Sequence, residues 1–297
     1  MNQSSVASLT REETGTLFQT ILVAYDSSEA SETALRHAVA LAQIFGSFVT
    51  VASIQSVADF TAAMESGLER QESHRQLTED LQTIAQKLNA QGVRNRVVHR
   101  TGTVADVLVQ LAAECRADLL LLGAYGHKGM DRPRLGSTAE YMLRSMPCAV
   151  LTVGPGAILH DREVPPLRTL LYASSLPGRS GHPEQIVTTL AKKSNATVEI
   201  LHVIDRQTKV HDLRTYEEMK IAGEALAREL GHAGIHATLD LTSGSQGQRI
   251  VERATETHAD LIVFGLEHVP GYPDAMGTIS MTIWQAPCPV LTVPGPA

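Results

Sequence analysis

The chain has little aromatic and little sulfur chemistry: among 297 residues there are one Trp, five Phe, six Tyr and three Cys. Cys115, Cys148 and Cys288 show no C-x-x-C spacing, which excludes a disulfide framework and fits ordinary buried thiols in a reducing cytoplasm. No apolar run approaches the roughly 18 residues of a membrane span, so no membrane partner is expected. The first residues lack the basic-then-apolar layout of a secretory signal, and residues 1–18 read as a disordered lead-in. Basic excess is also missing. With 25 Lys and Arg against 32 Asp and Glu, the net charge of −7 argues against a nucleic-acid surface. The twelve histidines contain no H-E-x-x-H signature, and no protein-built metal site is expected. His202, after a β-rich run, reads as a core or strand-end histidine.

What is present is a globular composition, 43% hydrophobic and 19% charged, in a chain long enough for two domains of about 150 residues each. Self-comparison supports two. Thr101-Gly-Thr and Ala117-Asp118-Leu-Leu-Leu-Leu-Gly123 align with Ser243-Gly-Ser and Ala259-Asp260-Leu-Ile-Val-Phe-Gly265. Met146-Pro-Cys148-Ala-Val-Leu-Thr-Val153 aligns with Ala286-Pro-Cys288-Pro-Val-Leu-Thr-Val293. Such a long period means two copies of one domain rather than a solenoid. The proline-rich stretch 155–166 reads as the linker, between a first domain at 19–154 and a second at 167–297.

Within each copy, short apolar runs alternate with helical patterns. The first copy predicts strands at Thr20–Tyr25, Phe48–Ile54, Val93–His99, Asp118–Gly123 and Ala149–Val153. Its helices fall at Ser28–Phe45, Leu68–Ala90, Val104–Cys115 and Ser137–Leu143. The second predicts strands at Thr169–Ala173, Thr197–Val203, His236–Leu241, Asp260–Gly265 and Val290–Val293. Near-continuous apolar strands separated by helices give an α/β fold. The expectation is two tandem Rossmann-like domains, each a five-stranded parallel sheet between helices. Ligands of such sheets bind beyond the carboxyl ends of the strands.

At that end of the first copy lies a spaced set of small residues, Gly123-Ala-Tyr-Gly126, nine further residues, then Gly136-Ser137-Thr138. The pattern is G-x2-G-x9-G-S/T. Glycines allow close approach of the backbone to a ligand and positive φ. Amides opening a helix at Gly136 form an anion site reinforced by the helix dipole, to which Ser137 and Thr138 add hydroxyls. The ligand expected is a polyphosphate. Between the glycines, His127, Lys128, Arg132 and Arg134 are candidate phosphate contacts, and Asp131 is a candidate to approach a phosphate-bound Mg²⁺.

The opening Ile21-Leu-Val-Ala-Tyr-Asp26-Ser-Ser-Glu, the Asp118–Gly123 strand, the glycine pattern and Pro-Cys-Ala-Val-Leu-Thr-Val together resemble the universal stress protein family in its tandem form. The likeness runs from about Gln19 to Val293. It implies ATP as ligand, with Mg²⁺ carried by the phosphates as a candidate companion. Asp26, with Ala24 and Tyr25 before it, would lie near adenine and ribose, and the Ser53 backbone would meet adenine. Gly123, Gly126, Gly136, Ser137 and Thr138 would wrap the phosphates. Charge-assisted hydrogen bonds contribute roughly 1.5–3 kcal/mol each, so four or five suffice for micromolar binding after the costs of association.

The second copy departs from this set. The residue matching Asp26 falls near Ser174, the second glycine becomes His268, the spacing to Gly277-Thr278 shortens, and Pro270 and Pro273 enter the loop. An empty or altered second site follows. The last strands are short apolar edges, and edges tend to pair. The copies are therefore expected to join antiparallel through them as an intrachain pseudo-dimer, with further homodimerisation left open.

The function expected is that of an ATP-binding stress-response or regulatory protein acting on an unidentified protein partner, with slow hydrolysis at most. No general base is placed beside Gly136-Ser137, His127 being the one nearby candidate. Two alternatives compete: a nucleotide-free scaffold, and an adenine-nucleotide-using enzyme of adenylyl transfer or ATP pyrophosphatase type. The second lacks HIGH-like and SGGxDS-like strings.

Overall fold

The computed structural model describes residues 17–56, 68–126, 134–160, 163–176, 181–205, 213–266 and 276–295. The first half runs β1 (Thr20–Ala24), α1 (Glu29–Phe45), β2 (Phe48–Gln55), α2 (Leu68–Ala90), β3 (Arg94–Thr101), α3 (Val104–Cys115), β4 (Leu119–Gly123), α4 (Ser137–Ser145) and β5 (Ala149–Val153). One 3₁₀ turn follows at Pro155–Ala157. The second half repeats the order: β6 (Thr169–Ala173), α5 (His182–Ser194), β7 (Thr197–Asp205), α6 (Leu213–His232), β8 (Ala237–Gly244), α7 (Gln246–Glu256), β9 (Leu261–Leu266), α8 (Met276–Gln285) and β10 (Val290–Pro294).

The strands form one continuous sheet in the order β3-β2-β1-β4-β5-β10-β9-β6-β7-β8. Every neighbouring pair is parallel except β5 with β10, which joins the halves antiparallel. Leu151 stands opposite Leu291, Val150 opposite Thr292 and Thr152 opposite Val290. The equivalent leucines thus face one another on a pseudo-two-fold axis that exchanges the two flanking Val–Thr pairs. The symmetry is imperfect. Thr292 Oγ1 donates to the Val150 carbonyl at 3.1 Å, whereas the buried Thr152 hydroxyl has no partner.

The strand alternation feeds two apolar layers. Ala34, Ala38 and Leu41 of α1, Leu81, Ile84 and Leu88 of α2, Leu190 of α5 and Leu226 of α6 cover one face. Leu108 of α3, Met142 of α4, Ile250 of α7 and Ile279 of α8 cover the other. The repeated Ala-Asp pair has a structural cause. Asp118 accepts the Gln19 and Thr20 amides at 2.7 and 3.1 Å, and Asp260 accepts those of Arg168 and Thr169 at 2.7 and 2.9 Å. Each carboxylate latches the start of one central strand to its neighbour.

Two sequence expectations need correction. Phe18, assigned to the lead-in, is buried and packs edge-on against Phe45 at 5.7 Å, so the packed chain begins before Gln19. Strands β3 and β8 run on to Thr101 and Gly244 because their ladders with β2 and β7 continue to Gln55 and Asp205. These outer residues are polar, so backbone pairing persists after the apolar pattern has ended. Among the described residues no helix is long and apolar enough to cross a membrane.

Candidate functional site

The connections leave the sheet in opposite directions on either side of β1 and β4, the neighbours at the switch point of the first half. Beyond β1, Tyr25 N donates to the Ala52 carbonyl at 2.9 Å and the chain turns sharply. Ser27 adopts φ 63°, a left-handed conformation unusual outside glycine. The turn is held by Asp26, whose Oδ1 accepts from Ser28 N at 3.1 Å and Ser28 Oγ at 2.6 Å. Ser28 in turn caps α1, accepting from Ser31 N at 3.2 Å. Asp26 itself is exposed.

Beyond β4 comes the glycine loop. A Cβ placed on Gly126 would stand 2.7 Å from Asp26 Oδ2, so the two predicted residues meet and only glycine leaves the carboxylate its place. Gly136 N donates to the Ala124 carbonyl at 2.8 Å, fixing the start of α4 beside this loop. Gly136 caps α4 with no side-chain acceptor. The amides of the first turn, which have no partner within the helix, therefore point toward an outside acceptor.

The expectation of positive φ at these glycines is not met: none of Gly123, Gly126 and Gly136 is left-handed. Gly123 and Gly126 are small because something lies close to them, whereas a Cβ on Gly136 would make only ordinary contacts, 3.4 Å from the Ala124 carbonyl oxygen. For Gly123 the close neighbour is α1, since a Cβ there would be 2.7 Å from the Ala30 Cβ. Gly265 of the second half is held in the same way, its Cβ position 2.8 Å from Pro183. Helix–sheet packing therefore accounts for this glycine in both halves.

Tyr25 sends its ring into the α1–α2 layer, where the hydroxyl donates to Glu32. Burial first, then that bond, pushes the phenol pKa upward. As a side-chain contact to a ligand, Tyr25 is thus already committed. Ala24 is half-buried, and Ser53 is buried on β2 opposite His99. Ser137 and Thr138 line a groove of about 460 Å³ with Ser56, Gly102, Thr103 and Tyr141. The starts of α3 and α4 thus face one hollow, beside the Asp26–Gly126 pair rather than on it. Gly102-Thr103 entered the sequence reading only as a repeat marker, although its small residues carried the signal. Arg134 is exposed. His127, Lys128, Asp131 and Arg132 lie outside the described residues.

In the second half Ser174 N donates to the Leu201 carbonyl at 3.0 Å, as Tyr25 does to Ala52. Ser174 therefore occupies the Tyr25 position, and Ser175, one residue on, that of Asp26. The carboxylate of the first site has become a hydroxyl. The Ser174 hydroxyl is buried without a partner. His202, at the Ser53 position, is a strand-end core residue whose Nδ1 lies 2.8 Å from the Ser174 carbonyl. Burial lowers its pKa, and that bond partly offsets the shift. His268, Pro270 and Pro273 lie outside the described residues.

Among the described residues, no group of three His, Cys, Asp or Glu side chains is placed to hold a metal. All three thiols are free.

The sequence model of the universal stress protein family matches residues 17–154 and again 181–294. A curated universal stress protein of Methanocaldococcus jannaschii is 28% identical over 144 residues, covering 46% of this chain and 82% of its own. One from Thermus aquaticus is 31% identical over 145 residues, covering 46% of this chain and 99% of its own. Over nearly the full length, a universal stress protein structure from Archaeoglobus fulgidus has a TM-score of 0.70 at 18% identity, covering 95% of this chain and 98% of that one. At that identity the likeness speaks for the fold alone, whereas the double match of the sequence model speaks for descent. The chain belongs to the universal stress protein family, carrying its domain twice in tandem.

Proposed function

We propose that the first domain binds ATP and that the bound nucleotide modulates the protein's conformation and its engagement of a regulatory partner, with slow hydrolysis or none. One observation carries this reading: an exposed carboxylate, Asp26, meets the backbone at Gly126, where no side chain intervenes, beside a helix start without a side-chain cap. A carboxylate accepts from ribose hydroxyls, and open amides donate to an anionic tail. The proposed contacts are Asp26 and the neighbouring backbone for the nucleoside, with Gly126, Gly136, Ser137 and Thr138 for the phosphates. A Mg²⁺ ion would come with the phosphates.

Hydrolysis needs a base aimed at the terminal phosphate. Near the start of α4 the described carboxylate is Glu140, which is exposed and pairs with Arg144 at 3.5 Å in its own helix. In the second domain the loss of the Asp26 carboxylate favours a structural role, completing the shared sheet through β10. The three unpaired thiols suit a reducing compartment.

Titration with ATP, ADP and AMP, followed by thermal shift and phosphate release, tests the proposal. A stabilisation by nucleotide that disappears in Gly126→Val supports it, and one that survives the substitution refutes the site. Multiple turnover above about 1 s⁻¹, an ordinary enzymatic rate, would replace it by the enzyme reading. No stabilisation by any of the three would leave the scaffold.

A further inference from the structure

The glycine loop of the first domain is not supported by that domain alone. Tyr125, between Gly123 and Gly126, is buried, and its ring lies 5.8 Å from that of Trp284 at an interplanar angle of 55°. This separation lies within the range of favourable aromatic pairs. Trp284 is the only tryptophan in the sequence, and it sits in the last turn of α8, in the second domain.

The helix carrying it is seated closely on the first domain. A Cβ on Gly154 would fall 1.7 Å from the Ile283 carbonyl oxygen, and one on Gly156 would fall 2.5 Å from that of Ala286. Main chain therefore meets main chain where β5 ends, and that contact leaves α8 little room to slide. The same strand end holds the loop, since Ala124 N donates to the Val153 carbonyl at 2.8 Å. Loop, strand end and α8 form one packed unit across the domain boundary.

The aromatic pair occurs in one direction only. Counting from the Cys148–Cys288 alignment, the first-domain residue matching Trp284 is Arg144, which pairs with Glu140. Counting from Gly123–Gly265, the match of Tyr125 is Glu267. The first domain's loop thus receives an aromatic support for which the second domain's sequence has no counterpart. At its other end α8 carries Gly277-Thr278, the second domain's version of Gly136-Ser137, in its first turn.

We propose that the second domain completes the first domain's ligand site: Trp284 is a positioning residue that holds Tyr125, and through it the glycine loop, in the geometry that receives the phosphates. This rests on the ATP reading above. It also explains why a domain with an altered site remains joined to one with an intact set.

The test titrates the full chain with ATP by calorimetry as wild type, Trp284→Phe and Trp284→Ala, and follows Trp284 emission in the wild type. Trp284→Phe keeps an aromatic face and is expected to bind within about twofold of wild type. Trp284→Ala is expected to bind about tenfold more weakly, the upper range for loss of an aromatic pair. Wild-type emission is expected to shift as ATP saturates, although Trp284 lies in the other domain. Wild-type affinity in Trp284→Ala would overturn the proposal and leave the ATP reading standing. Absence of ATP binding by wild type would overturn both. Should Trp284→Ala fail to fold, the wild-type spectrum decides, and an unchanged emission at saturating ATP overturns the proposal.

Discussion

Adding one methyl group at Gly126 or at Gly123 should have opposite consequences, because the two glycines are small for different reasons. At Gly126 a Cβ would stand 2.7 Å from Asp26 Oδ2, so the carboxylate must retreat by about 0.7 Å to reach ordinary contact. Asp26 is exposed, but its Oδ1 holds Ser28 N and Oγ at the start of α1, so its retreat in Gly126→Ala should cost about 0.5–1.5 kcal/mol of stability. A displaced carboxylate, however, would lose the ribose bond proposed for it. One charge-assisted hydrogen bond is worth roughly 1.5–3 kcal/mol, so ATP affinity should fall about 10- to 100-fold. At Gly123 the obstacle is the Ala30 Cβ at 2.7 Å with the Ala30 backbone behind it at 3.3 Å, and neither can swing aside. Overpacking of this kind costs about 1–3 kcal/mol, so Gly123→Ala should lower stability whether or not ATP is present. Calorimetric titration and denaturant unfolding of both variants give the four numbers required. Unchanged affinity in Gly126→Ala, or unchanged stability in Gly123→Ala, would refute the assignment of those roles.

Further outcomes follow from buried and half-buried groups. Asp118→Ala and Asp260→Ala each remove a carboxylate accepting two strand amides; each should cost about 1.5–3 kcal/mol in denaturant unfolding, and a loss in only one of them would break the equivalence of the two latches. His37 is buried with Nε2 unpartnered, and burial pushes its pKa down to about 4. Because the folded value lies below the unfolded one of about 6.5, its contribution is intact above pH 6.5 and is lost as pH falls toward 4, up to roughly 3 kcal/mol. Ile186 holds the matching place on α5, so His37→Ile should fold and show a flatter acid limb; an acid limb identical to wild type would remove His37 as its cause. Burial raises the Cys148 and Cys288 thiols to about 12, so a thiol reagent should label the half-buried Cys115 first and the other two only on unfolding. Equal labelling of all three in the native protein would contradict that burial.

Much of the fold was legible because the signals were local. Leu119–Leu122 and Val150–Val153 are apolar runs bounded by turn residues, and the repeat of Ala-Asp and Pro-Cys strings exposed the duplication. The joining of β5 and β10 was legible because both are short apolar edges. The site was legible only as a set of residue types. That Gly126 makes room for Asp26, while Gly123 makes room for Ala30, depends on how α1 crosses the sheet. The identity of Ser175 as the Asp26 counterpart depends on strand register, which the insertions between the halves conceal. Trp284 was invisible as a partner of Tyr125 because no local pattern links residues in different domains. His37 sits on the apolar face of α1, where a buried imidazole and an exposed one give the same sequence signal.

The asymmetry between the two halves is tested most directly by the stoichiometry of ATP binding to the full chain and to one variant in each half. A Cβ on Gly277 meets open space, so Gly277→Val should leave the fold undisturbed. The expected result is one ATP per chain in wild type and in Gly277→Val, and none in Asp26→Ala combined with Gly126→Val. Two ATP per chain, or binding that survives the first-domain substitutions and disappears with Gly277→Val, would contradict it.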